Sequence, residues 1–177
     1  MGFGACHPHH LARSLRQHTS GMEVAMKTEF IFEWMSVEPI TVSLEAELHE
    51  AKQLLDDYHI QRLLVVDGWG RLIGIITQSD VLAALPIEAH RRLERERQAE
   101  VAQIKVKDVM TANPVTVNTT DTVGKAAILM LTNKISGLPV LSPVDRSLVG
   151  IITASDIYTM VAQSWGEIEL FEVIQGG

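Results

Sequence analysis

Gly74-Ile75-Ile76-Thr77-Gln78-Ser79-Asp80-Val81 returns 76 residues later as Gly150-Ile151-Ile152-Thr153-Ala154-Ser155-Asp156-Ile157, identical at six of eight positions. Each copy runs from an apolar, β-branched pair into Thr-x-x-Asp and then into a second apolar segment, the pattern of a buried strand feeding a helix. Thr77, Asp80, Thr153 and Asp156 then stand at helix N-termini. There the first amides lack internal partners and the helix dipole favours negative charge, so such a turn suits a phosphate. The same residues have a plainer use as a capping box, in which Thr and Asp only satisfy the helix's own donors. One copy by itself leaves both readings open.

The repetition extends upstream. At an offset of 75, Met35-Ser36-x-x-Pro39-Ile40-Thr41-Val42 overlies Met110-Thr111-x-x-Pro114-Val115-Thr116-Val117, and Ile60-x-x-Leu63-x-Val65-Val66 overlies Ile135-x-x-Leu138-x-Val140-Leu141. One extra residue in the following turn converts the offset to 76. Two copies of a unit of about fifty residues mark an internal duplication.

The ordered pair Met-Ser/Thr-x-x-Pro-x-Thr-Val and Gly-Ile-Ile-Thr-x-x-Asp resembles the CBS (cystathionine beta-synthase) domain, and the doubled unit resembles the tandem arrangement called a Bateman module. The resemblance covers roughly residues 34 to 84 and 109 to 162. It implies an α+β fold of two units packed as a pseudo-two-fold pair, each in the order strand, helix, strand, strand, helix. The expected division is an N-terminal extension over 1–33, a first unit over 34–84, a helical linker over 85–107, a second unit over 108–163 and a tail over 164–177.

The local patterns agree with that order. Leu44, Leu48, Ala51 and Leu55 lay one apolar stripe along a helix expected to start behind a Ser43 cap and to end near Tyr58, and Val123, Ala126, Ala127, Met130 and Leu131 repeat it. Leu63 to Val66 and Leu72 to Ile76 flank Asp67-Gly68-Trp69-Gly70, a hairpin turn signal, and Leu138 to Leu141 and Leu148 to Ile152 flank the longer Ser142–Ser147 loop. Phe30-Ile31-Phe32 is apolar enough to pack on the module but too short for its period to separate strand from helix.

The chain of 177 residues, 46% hydrophobic, can bury a real core. Its net charge of −7 argues against general nucleic-acid binding, which needs a basic face. A single cysteine, Cys6, excludes an internal disulfide framework and fits a reducing compartment. No apolar run reaches the roughly eighteen residues a bilayer span needs, and the start of the chain lacks a signal peptide's apolar core. A cytoplasmic protein with no membrane partner is expected. Cys6-His7-Pro8-His9-His10 has metal-ligating residue types, but its spacing matches no closed site, so no metal is expected. Between the units, Arg91, Arg92, Arg95 and Arg97 alternate with Glu88, Glu94, Glu96 and Glu100, the pattern of a solvated helix; Arg91 or Arg92 reaching a ligand phosphate, and Leu93, Val101 and Ile104 facing a partner, stay open.

No phosphate loop, nucleophile elbow or His-Glu-x-x-His motif is present, and His49, His59 and His90 are scattered, so no catalytic residue is assigned and an enzyme is not expected. The resemblance implies instead a regulatory module that binds AMP, ADP or ATP in clefts between the units, with no cofactor required. Asp80 and Asp156 would accept from ribose hydroxyls, Thr77 and Thr153 would contact phosphate, and backbone near Ile40 and Val115 would meet the adenine. Ser36 with Ile60-Gln61-Arg62, and Thr111 with Ile135-Ser136-Gly137, fall where family members line the same clefts. Arg62 overlies Gly137, so the first unit can offer a guanidinium where the second offers room. The family's pairs imply a homodimer and a regulated target protein that the sequence does not name. A structural dimerisation module without ligand, and a binder of S-adenosylmethionine or NAD, are the alternatives.

Overall fold

The computed structural model describes residues 29–84 and 104–165. The N-terminal histidines, Arg91, Arg92, Leu93 and Val101 of the charged linker, and the tail beyond Trp165 lie outside the described residues.

After a single 3-10 turn at Ile31–Glu33, the first repeat forms β1 (Ser36–Val37), β2 (Thr41–Ser43), α1 (Leu48–Asp57), β3 (Arg62–Val66), β4 (Leu72–Thr77) and α2 (Gln78–Ala84). The second forms α3 (Val106–Val109), β5 (Thr111–Ala112), β6 (Val117–Asn118), α4 (Val123–Asn133), β7 (Gly137–Leu141), β8 (Leu148–Thr153) and α5 (Ala154–Ser164). The fold is α+β, two units of like element order packed as a pseudo-two-fold pair. In each, a parallel strand pair is joined through a helix (β2 to β3 through α1, β6 to β7 through α4), and a hairpin then turns the chain back antiparallel. Parallel strands need such a crossover, whereas antiparallel ones need only a turn. The first turn is built as its residues require: Asp67 accepts from the backbone amides of Trp69 and Arg71, and Gly70 takes a φ of 76°.

The stripes become core, with corrections at their ends. Leu48, Ala51 and Leu55 are buried beneath α1, and Val123, Ala126 and Met130 beneath α4. Ser43 does not cap α1. It lies in β2 opposite Val66, its hydroxyl accepts from the Glu45 amide, and the helix starts only at Leu48 behind Glu47. Leu44 therefore precedes the helix. Leu131 is 79% exposed, on the outer face of α4.

The two sheets are not made each from its own repeat. Their strand orders are β2-β3-β4-β5 and β1-β8-β7-β6, so β1 of the first repeat joins the second sheet and β5 of the second repeat joins the first. Val37 pairs with Gly150 and Gly74 pairs with Ala112. The glycine opening each Gly-Ile-Ile-Thr is what admits the visiting strand. A Cβ on Gly150 would stand 2.7 Å from the Ser36 carbonyl oxygen, and one on Gly74 would stand 3.0 Å from that of Thr111.

The segments leading into those strands are exchanged too. Ile31 is fully buried in the core of the second sheet with Val123, Leu138 and Ile152. Val106, at the matching position, is fully buried in the core of the first with Leu48, Leu63 and Ile76. Matching amides hold both: Ile31 donates to the Asp121 carbonyl and Val106 to that of Ala46, each at 2.9 Å. Of the Phe30-Ile31-Phe32 cluster only Ile31 is core, while the two rings stack on each other outside, centroids 5.9 Å apart. Ile104, partly buried, likewise packs on the first core. Burying one isoleucine contributes about 1.5–3 kcal/mol, so each half holds a piece of the other at measurable cost to removal.

Candidate functional site

Two clefts lie where the repeats meet, with cavity volumes of about 590 and 610 Å³, within the span usual for small-molecule pockets. Each draws on both repeats. The first is walled by Ser36, Glu38, Ile40, Ile60, Gln61, Arg62 and Leu64 from one repeat, and by Thr153, Ser155 and Tyr158 from the other. The second is walled by Thr111, Asn113, Val115, Lys134, Ile135, Ser136 and Gly137 from one, and by Ile75, Thr77 and Asp80 from the other. The strand exchange produces this crossing, since β1 lays Ser36 beside Ile151 and β5 lays Thr111 beside Ile75. Of the fourteen residues singled out in the sequence, the clefts gather all except Asp156 onto their walls. Asp156 is bonded to Thr153, which does line the first cleft.

Both Thr-x-x-Asp motifs form the capping contact. Asp80 Oδ2 accepts from the Thr77 amide at 2.8 Å and from its hydroxyl at 2.7 Å, and Asp156 Oδ2 accepts from the Thr153 amide at 2.7 Å and hydroxyl at 2.8 Å. The cap does not exhaust the carboxylate. Among the described residues Oδ1 of each acid takes no hydrogen bond, and an ionised carboxylate has about four acceptor sites. The threonine hydroxyls, however, already donate to their aspartates. A phosphate on Thr77 or Thr153 would have to take that proton over, which weakens the threonine role drawn from the resemblance.

Arg62 is the residue whose position sequence alone misplaced. It starts β3 in the first repeat, but its guanidinium leans across the pseudo-two-fold, where Nη2 donates to Ser136 Oγ at 2.7 Å. Its body fills the space that the missing side chain of Gly137 leaves, and a Cβ there would overlap Nη1. Nη1 is buried and has no hydrogen-bond partner among the described residues. Arg62 consequently lines both clefts rather than serving the first alone. Burial pushes its pKa down from the ordinary arginine value, and the charge of Asp156 opposes that. A buried donor without a partner is costly, and a ligand oxygen within reach would relieve it.

Among the wall residues not singled out as ligand contacts, four have left-handed backbone. Glu38 and His59 line the first cleft, Asn113 and Lys134 the second, at φ of 51°, 52°, 51° and 55°. His59, read in the sequence as a surface or packing histidine, is an exposed residue on the cleft wall. The offset of 75 pairs Glu38 with Asn113 and His59 with Lys134. Following that offset beyond the motifs would have found all four. Among the described residues no cluster of three or more His, Cys, Asp or Glu could hold a metal, and no helix is long and apolar enough to cross a membrane.

A family model for the CBS domain matches residues 31–87 and 106–162. The chain belongs to the CBS domain family. It is 38% identical over 132 residues to a CBS domain-containing protein of Dictyostelium discoideum, covering 72% of this chain and 87% of that protein. Against inosine-5'-monophosphate dehydrogenase of Korarchaeum cryptofilum it is 35% identical over 119 residues, 67% of this chain but only 21% of the enzyme. Among solved structures it is similar to the CBS domain pair of protein MJ0100 in complex with 5'-methylthioadenosine and S-adenosyl-L-methionine, with a TM-score of 0.63 and 30% identity, covering 76% of this chain and 96% of that one.

Proposed function

We propose that this CBS pair is a non-catalytic regulatory module whose clefts bind adenosine-containing ligands, AMP, ADP or ATP first among them, and that occupancy is transmitted through the packing of the two halves. The observation that carries this is the composition of the second cleft. Asp80, one of whose carboxylate oxygens takes no hydrogen bond among the described residues, faces Thr111, Val115 and Ile135 of the other repeat across about 610 Å³. The free oxygen suits ribose hydroxyls, the aliphatic wall suits a purine, and the bonds of neighbouring backbone suit its edge. The adenosyl ligands held by the related pair of protein MJ0100 support the same class.

Because each cleft is walled by both repeats, a ligand touches both sheets and favours one packing of them over another. A partner that favours the same packing then raises ligand affinity by the same factor. A homodimer in the cytoplasm is the assembly and setting we assign. The exposed Ile128 and Leu131 on α4 support a further apolar contact surface.

Calorimetry with AMP, ATP and S-adenosylmethionine on the wild type, Asp80→Asn and Asp156→Asn tests the reading. Asparagine keeps an acceptor for the cap but loses the charge. Each variant is expected to weaken binding in its cleft about tenfold or more, with an unchanged circular dichroism spectrum. Undiminished affinity in both removes these carboxylates from the site.

A further inference from the structure

We propose that the two clefts divide adenosine ligands by charge: the cleft walled by Thr77, Asp80 and Lys134 takes a 5'-phosphorylated adenosine, and the one walled by Thr153, Glu38 and His59 takes an adenosine whose 5' group is uncharged or cationic. This rests on the reading of both clefts as adenosine sites.

The backbone of the two clefts is matched residue for residue, so their difference lies in side chains. Where one has Asn113 and Lys134, the other has Glu38 and His59 at the same left-handed positions. Counting histidine as neutral, among the described residues the Lys134 cleft has two cations on its wall, Lys134 and Arg62, against the carboxylate Asp80. Among the same residues the Glu38 cleft has Arg62 against Glu38, with Asp156 directly behind Thr153. A phosphate dianion is thus drawn into one and opposed in the other, in space only partly open to screening water.

Arg62 is common to the two clefts and does not itself divide them: its Nη2 is tied to Ser136, and both residues line both clefts, so the division rests on Glu38 and His59 against Asn113 and Lys134. Gly137 is what lets Arg62 lie there. The Glu38 cleft offers in compensation the Tyr158 ring, where the corresponding residue of the other repeat is Leu82. It also offers a carboxylate that a sulfonium or ammonium group on the 5' substituent would approach favourably.

The test is calorimetry on the full chain with AMP and with 5'-methylthioadenosine, singly and with one ligand saturating, on the wild type, Lys134→Asn and Glu38→Asn. Asparagine tolerates the left-handed backbone at both positions, so folding is kept. The expected wild-type result is additive binding of one AMP and one methylthioadenosine. Lys134→Asn is expected to weaken AMP at least tenfold and leave methylthioadenosine affinity within twofold. Glu38→Asn is expected to raise AMP stoichiometry from one to two. Competition of the two ligands for one cleft, or equal loss of both in Lys134→Asn, overturns the division while leaving adenosine binding intact. Failure of both ligands to bind the wild type at millimolar concentration overturns the adenosine reading and the division with it, whereas failure of one alone overturns the division only.

Discussion

The halves of this CBS pair share a backbone and differ at the clefts. Ile31 and Val106, Glu38 and Asn113, His59 and Lys134 occupy matching places. The buried members are both aliphatic, whereas the cleft members differ, acid against amide and imidazole against ammonium. Each half is completed by a strand of the other, so a core change harms both. The cleft walls carry no such constraint.

Breaking the exchange should produce the largest effect. Ile31→Ala opens a cavity in the second core and is expected to lower stability by about 2–5 kcal/mol in urea unfolding, with Val106→Ala costing less because fewer methyl groups leave. An Ile31→Ala cost under about 0.5 kcal/mol would mean that the lead segment is not held as described.

The glycines sharpen the comparison on a smaller scale. Gly150→Ala forces a methyl against the Ser36 carbonyl, and about 1–3 kcal/mol is expected to be lost. Gly74→Ala should cost less, since its closest neighbour is the flexible thioether of Met110. Gly137→Ala is expected to cost least, about 1 kcal/mol or below, since the obstructing atoms are the mobile end of Arg62. Its effect should fall on the clefts, where the guanidinium loses its Ser136 bond. If Gly137→Ala proves as harmful as Gly150→Ala, the contact with Arg62 is structural.

The smallest effect is expected in the hairpin loops. Hydrogen bonds from the Ser142 and Ser147 hydroxyls hold Asp145 down to about 2, whereas the shorter first loop uses Asp67 on Trp69 and Arg71. A depressed carboxylate stabilises the fold above its unfolded value, about 3.9, and that contribution disappears as pH falls through about 2. An NMR titration of the Asp145 carboxyl should show a midpoint near 2 that rises in Ser147→Ala.

The sequence carried what local pattern can carry. Repeats, hairpins and the Thr-x-x-Asp turns were legible because each depends on neighbouring residues, and once they are folded in matching order the cleft residues come together. The exchange of β1 and β5 was not, because a two-residue strand has no period and its partner lies more than a hundred residues away for Ser36. The start of α1 was misread because Ser43, a good cap by type, is held in a parallel strand pair. Arg62 was assigned to its own repeat's cleft, since nothing in a linear chain shows that Gly137 leaves room for it across the pseudo-two-fold.

A ligand in either cleft would be gripped by residues of both repeats at once. Amide chemical-shift mapping during an AMP titration measures this directly. Thr77 and Asp80 are expected to shift together with Thr111, Val115 and Lys134, along one saturation curve. Shifts confined to a single repeat, or none at millimolar AMP, would contradict it.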